Sequence, residues 1–137
     1  MVIRNVYFVR HGETDDNVAG IMQGCQRDTP INENGRQQAS ELQQSARLPT
    51  DAEVYSSPMK RALETCQIVT LRDHDDIKLD ERLVERNFGK WTGKLKADCL
   101  KRLAIMGVDM MKMGVSVDGI ETWPAFTQRW VQYWMKF

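Results

Sequence analysis

The apolar run Val6-Tyr7-Phe8-Val9 limits the fold more than any other feature of the chain. Its residues favour β-structure and do not alternate with polar ones, so the run predicts a strand covered on both faces, as in a parallel sheet. The run ends at Arg10-His11-Gly12. Because ligands of α/β proteins bind beyond the carboxyl ends of parallel strands, this tripeptide marks a candidate site.

Helix and strand signals alternate along the following residues. Asn32 is typical of a helix N-cap, and Val54-Tyr55 predicts a short strand. Ser57-Pro58 predicts the start of a second helix, with proline in its first turn, and Ile77-Lys78-Leu79 predicts a third strand. The resulting βαβαβ order predicts a three-layer α/β/α fold with a mainly parallel sheet.

Three further segments complete the prediction. The polar stretch from Gly12 to Pro30 is longer than a usual connection, which is typical of a binding loop. Apolar spacing predicts a helix over residues 94–113 and another that begins near Trp123. The last helix carries aromatic residues at helical spacing, so we expect it to cover an apolar surface. We also expect that copies of the chain can associate through the exposed face of this helix.

Size and charge exclude several classes of protein. The 137 residues suit a single domain, and 19 basic residues balance 19 acidic ones without a basic cluster, which argues against a nucleic-acid partner. No apolar run reaches the length of a membrane span and the amino end lacks signal-peptide character, so we expect a cytoplasmic protein without a membrane partner. Three dispersed cysteines and two histidines favour neither a disulfide framework nor a metal site.

The histidine and the arginine near the end of the first predicted strand are suited to binding and transferring a phosphoryl group. A neutral imidazole at the end of a strand can attack a phosphoryl group through one ring nitrogen while the other donates a hydrogen bond. Phosphate oxygens require positive charge, and guanidinium groups match their geometry. Arg10 adjoins His11, and Arg61 falls in the first turn of the helix that follows Ser57-Pro58, where backbone N–H groups also favour an anion.

Several motifs in order make the chain resemble the histidine phosphatase (phosphoglycerate mutase-like) superfamily. They are Arg10-His11-Gly12-Glu13-Thr14, Asn17, Gln23-Gly24, residues 30–39, Ser56-Ser57-Pro58 with Arg61 and Thr65, residues 83–93, and a weaker element at Gly119-Ile120-Glu121-Thr122 with Phe126 and Arg129. The resemblance implies that His11 becomes phosphohistidine, that Arg10 and Arg61 clamp phosphate, and that Glu85 donates a proton to the leaving group. It also implies that Asn17, Gln23 and Gly24 bind a small phosphorylated substrate, without a cofactor or a metal.

One family element has no counterpart here. Members carry a second histidine on a late strand that lies between the first two strands, whereas the only other histidine, His74, stands among acidic residues outside every motif. The resemblance therefore implies one domain over residues 1–137 that lacks its carboxyl-terminal strands. We expect weak hydrolysis of a phosphate monoester. The alternatives are mutase-type phosphoryl transfer and a non-catalytic remnant that binds phosphate or forms oligomers.

Overall fold

The computed structural model describes residues 5–109, 112, 114 and 116–137. In chain order the α-helices and strands are α1 (Asp15–Val18), α2 (Glu33–Ser45), β1 (Tyr55–Ser56), α3 (Lys60–Thr70), β2 (Lys78–Leu79), α4 (Lys96–Met106) and α5 (Trp123–Trp134). Short 3-10 turns lie at His74–Asp76, Glu81–Leu83 and Gly89–Trp91. Within the described ranges, no helix is long and apolar enough to cross a membrane.

The sheet is smaller than the sequence predicts. Strand β1 pairs in parallel with β2, with Tyr55 opposite Lys78, and α3 makes the crossover between them. The predicted strand at Val6–Val9 is wrong, because this segment lies outside the sheet and Phe8 is 73% exposed. A strand needs a neighbour for its backbone hydrogen bonds, and among the described residues none pairs with this segment.

Most helix predictions are confirmed, with shifted ends. The Asn32 side chain accepts a hydrogen bond from the Gly35 N–H and caps α2 as expected. The predicted start of α3 at Ser57-Pro58 is wrong, since Met59 is its N-cap and the Ser57 hydroxyl accepts a bond from the Met59 N–H. Helix α4 is shorter than predicted because Gly107 adopts φ 66°, the left-handed geometry that ends helices. Residues 110, 111 and 113 of that prediction lie outside the described residues.

The apolar core anchors the long loop that follows His11. Its buried residues are Met22, Trp91, Cys99, Leu103 and Ile120. The Met22 N–H donates to the Lys94 carbonyl, and the Met22 carbonyl accepts from the Gly93 N–H at 2.8 Å. Because Met22 is both buried and hydrogen-bonded, the adjoining Gln23-Gly24 stretch has a fixed position.

Helix α5 covers an apolar surface, as its aromatic spacing predicts. Thr122 caps the helix, and Tyr133 is buried with its ring 6.1 Å from that of Tyr55 in β1. Trp134 contacts Phe8 edge to face at 5.5 Å. These contacts bring the amino-terminal segment and β1 against the same helix. Association of copies through this helix stays a prediction.

Candidate active site

The His11 loop is fixed by close backbone contacts with two helices. The Gly12 N–H donates to the Thr65 hydroxyl of α3 at 2.9 Å. A Cβ at Gly12 would lie 2.5 Å from the Gly35 carbonyl oxygen, so only glycine allows the loop to approach α2 this closely. The Asn32 N–H donates to the Glu13 carbonyl at 2.8 Å. The loop therefore holds the His11 backbone between the start of α2 and the middle of α3.

The His11 ring has a defined proton arrangement. Its Nδ1 lies 2.7 Å from the Gly12 carbonyl oxygen. Because a carbonyl oxygen only accepts, Nδ1 must carry the proton, and Nε2 then holds a lone pair when the ring is neutral. Burial lowers the pKa of His11 below its ordinary value; the Gly12 hydrogen bond opposes this shift, while the positive charges of Arg61 and Arg10 add to it. The ring is thus kept neutral and nucleophilic.

Arg61 is a buried cation whose position depends on the long loop. Its side chain extends from the first turn of α3, and the residue is 3% exposed. One terminal nitrogen donates to the Arg27 carbonyl at 3.0 Å and the other to the Gly24 carbonyl at 2.9 Å. Burial lowers the pKa of Arg61, although an arginine remains charged in proteins. Arg61 thus brings a fixed positive charge close to His11.

The start of α3 differs from the expected anion site. The Lys60 N–H donates to the Asp28 carboxylate at 2.7 Å, so a side chain of the loop already occupies this helix end. A carboxylate there compensates the positive end of the helix dipole. The cations around His11, rather than the start of α3, are therefore the candidates for holding phosphate.

Arg10 and Glu85 complete the charges around His11. Both side chains belong to exposed residues, and both act on the titration of His11, Arg10 lowering and Glu85 raising its pKa. A Glu85 carboxylate oxygen accepts a hydrogen bond from the Arg86 N–H at 2.7 Å. The charges of two arginines and of one glutamate from separate parts of the chain therefore all act on the His11 imidazole.

Asn17, Gln23 and Gly24 lie in the long loop that follows His11. Asn17 and Thr14 form a reciprocal capping box at the start of α1. The Gln23 amide donates to the Thr14 hydroxyl at 2.7 Å and accepts from the Thr29 hydroxyl at 3.0 Å. The Gly24 carbonyl accepts from Arg61. These contacts shape the loop, and direct contact of the three residues with substrate stays a prediction.

The sequence does not indicate the ion pair between Asp16 and Arg27, which connects two distant parts of the loop. Buried Asp16 accepts two hydrogen bonds from Arg27, at 2.5 and 2.9 Å, and a third from Thr29. The Arg27 carbonyl in turn binds Arg61. Adjacent acidic residues at the start of a short helix look like a solvated turn, so no pattern in the sequence indicated that Asp16 would be buried.

The family follows from comparison of the whole chain. The model of the histidine phosphatase superfamily (branch 1) matches residues 6–137. The chain belongs to this superfamily. The predicted α/β fold class is confirmed by the Bacillus stearothermophilus protein YhfR, whose solved structure is 32% identical, with a TM-score of 0.78 and coverage of 93% of this chain and 63% of that one.

Two curated relatives have different named activities. The 2,3-bisphosphoglycerate-dependent phosphoglycerate mutase of Thermoplasma acidophilum is 36% identical over 86 residues, which are 63% of this chain and 43% of the mutase. The glucosyl-3-phosphoglycerate phosphatase of Mycolicibacterium vanbaalenii is 33% identical over 93 residues, 68% of this chain and 41% of the phosphatase. The aligned part of the chain thus spans less than half the length of each relative.

Proposed function

We propose that the chain carries out hydrolysis of a phosphate monoester through a phosphohistidine on His11. The observation that supports this most strongly is the 2.7 Å contact of Nδ1 with the Gly12 carbonyl, which leaves Nε2 as the nucleophilic nitrogen. Arg10 and buried Arg61 supply positive charge where a phosphoryl group would bind. Neutral imidazole beside fixed cations is the arrangement that attack on a phosphate dianion requires.

The reaction has two steps. Nε2 of His11 forms a bond to phosphorus while the bond from phosphorus to the ester oxygen breaks, and the Glu85 carboxyl gives its proton to that oxygen. Glu85, now a carboxylate, then accepts a proton from a water molecule whose oxygen attacks phosphorus. The bond between Nε2 and phosphorus breaks, and inorganic phosphate leaves. Arg10 and Arg61 stabilise the charge on the phosphoryl oxygens in both steps.

Hydrolysis is favoured over mutase-type transfer by the exposure of the site. Glu85 and Arg10 are exposed, so water can reach a phosphohistidine in this chain. A mutase must exclude water and return the phosphoryl group to its organic substrate. The named activities of the relatives include both reactions.

We expect slow turnover from the 137-residue chain. The second histidine expected from the family has no counterpart among the two histidines of this sequence. His11 is the proposed nucleophile, and His74 lies on an exposed 3-10 turn against Asp75. Loss of one oxyanion-type donor typically slows a reaction about 10²- to 10³-fold. Incubation with radiolabelled phosphate monoester should give an acid-labile, base-stable label on His11, with turnover far below the ~10 s⁻¹ of a typical enzyme. Absence of any labelled histidine would refute the proposed function, and rapid turnover would refute the expected weakness.

The titration of His11 gives a second test. Burial lowers its pKa, so the ring should become protonated only below pH 6.5, its ordinary value, and labelling should be lost as the pH falls through that lower pKa. Since phosphate esters also titrate near pH ~6, the ring should be measured directly by ¹⁵N NMR, where the chain has only two histidines to assign. The neutral ring should carry its proton on Nδ1. A midpoint above 6.5, or a proton on Nε2, would contradict this prediction.

A further inference from the structure

Arg129 in α5 connects the helix to the segment that carries Glu85. Its guanidinium donates to three backbone carbonyls of that segment. One terminal nitrogen donates to the Arg82 and Val84 carbonyls at 2.7 Å each, and the other donates to the Glu85 carbonyl at 3.1 Å. The remaining contacts of Arg129 are with the Glu121 carboxylate, at 2.9 and 3.1 Å. We propose that Arg129, held by Glu121, is a positioning residue for Glu85, an inference that rests on the proposed function.

Glu121 fixes the other side of Glu85. Its carboxylate accepts from the Asn87 N–H at 3.1 Å, while its backbone N–H donates to the Asn87 carbonyl at 2.8 Å and its carbonyl accepts from the Arg86 side chain at 2.7 Å. Residues on both sides of Glu85 are thus bonded to the Glu121–Arg129 pair. The two side chains are 17% and 19% exposed, so the pair is partly desolvated and less screened than a surface ion pair.

Besides Arg129 and Glu121, the segment around Glu85 is restrained by the burial of Arg86 and by a 3.3 Å hydrogen bond from the Cys25 N–H to the Arg86 carbonyl. It connects the 3-10 turns Glu81–Leu83 and Gly89–Trp91, so no regular helix or strand holds residues 84–88 in place. The Glu85 carboxylate is exposed, with its hydrogen bond to the adjacent Arg86 N–H. The reach of the carboxyl toward His11 therefore depends on where the backbone lies. A misplacement of about 1 Å in a catalytic group can cost 10²-fold in rate.

The contacts of Arg129 argue against a direct role in binding substrate. A guanidinium has five N–H donors. The Arg129 contacts with the Arg82, Val84 and Glu85 carbonyls and with both Glu121 oxygens use all five. Arg129 would have to release one of these partners to bind a phosphate. Its contacts instead lead to the backbone of the proposed proton donor, which is what a positioning role requires.

Two substrates with different leaving groups can distinguish a positioning role of Arg129 from a general loss of structure. A proton donor accelerates departure of an alkoxide and matters little for p-nitrophenolate, which leaves without protonation. The comparison should use kcat/KM, because it reports steps through phosphorylation of His11 even if later hydrolysis of phosphohistidine is slow. For Arg129→Met we expect kcat/KM to fall about 10- to 100-fold with glycerol 3-phosphate and less than about threefold with p-nitrophenyl phosphate.

Two further variants decide the outcome. In the Glu85→Gln background, Arg129→Met should cause no further selective loss with glycerol 3-phosphate, because Arg129 acts through Glu85. Arg82→Met is the matched control: Arg82 also joins this segment to α5, through the Gln132 carbonyl, but its side chain binds Asp80 and not the Glu85 backbone. It should not discriminate between the two esters.

Each result has a distinct meaning. Equal losses with both esters, accompanied by a lower melting temperature, would assign Arg129 a merely structural role and overturn the proposal. Unchanged kinetics, or an additional selective loss in the Glu85→Gln background, would overturn it as well. The proposed function fails separately, if the unsubstituted chain does not form phosphohistidine from either ester.

Discussion

Replacing His11 with asparagine is expected to abolish formation of phosphoprotein. The asparagine amide can still donate to the Gly12 carbonyl, which now accepts from Nδ1 at 2.7 Å, so the loop should keep its conformation. The variant lacks an atom equivalent to Nε2, and removal of a nucleophile typically costs on the order of 10⁶ in rate. Labelling with p-nitrophenyl phosphate, which needs no proton donor, should therefore fall below detection.

The other histidine provides the matched control. His74 lies on an exposed turn, and its Nδ1 is 3.2 Å from the Asp75 carboxylate. His74→Asn should label at the rate of the unsubstituted chain. Both variants should still bind inorganic phosphate, because Arg10 and Arg61 are unchanged. Persistent acid-labile labelling of His11→Asn, or loss of labelling only in His74→Asn, would show that His11 is not the nucleophile.

The fold was predictable where local signals act alone. Asn32 is followed by a helix because its side chain satisfies the Gly35 N–H, a bond between near neighbours in sequence. The strand at Val6–Val9 was not predictable in the same way, because apolar and β-branched residues give a preference that is fulfilled only beside a partner strand. The start of α3 was also misplaced, since Asp28 of the distant loop binds the Lys60 N–H.

The sequence predicts the residue types of the candidate site but not their contacts. Motif order placed His11, Arg10, Arg61 and Glu85 together, and the charges of the last three do act on the His11 ring. The sequence did not indicate which backbone groups bind these side chains. The Arg61 contacts with the Gly24 and Arg27 carbonyls join positions more than thirty residues apart, and such pairs leave no local pattern.

Arg61→Met should produce the second large loss. Methionine has a similar length and can fill the buried space, but it removes the fixed charge beside His11. An arginine that stabilises a transferring phosphoryl group is typically worth about 10³- to 10⁵-fold in rate. The variant also leaves the buried Gly24 carbonyl without the donor that Arg61 supplies, which costs about 1–3 kcal/mol. We therefore expect both slower labelling of His11 and a lower melting temperature.

Two companion variants separate charge from stability. Arg61→Lys keeps a positive charge, but one ammonium cannot reproduce two planar contacts and also bind phosphate, so its labelling rate should lie between those of Arg61→Met and the unsubstituted chain. Arg36→Met removes an arginine whose side chain binds Glu64 of α3 and Glu33 of α2, and it should label normally. All rates should be measured well below each melting temperature. If Arg61→Met retained labelling within about tenfold of the unsubstituted chain, Arg61 would not provide the stabilisation expected of a phosphoryl-binding arginine. Its role would then be limited to fixing the position of the loop.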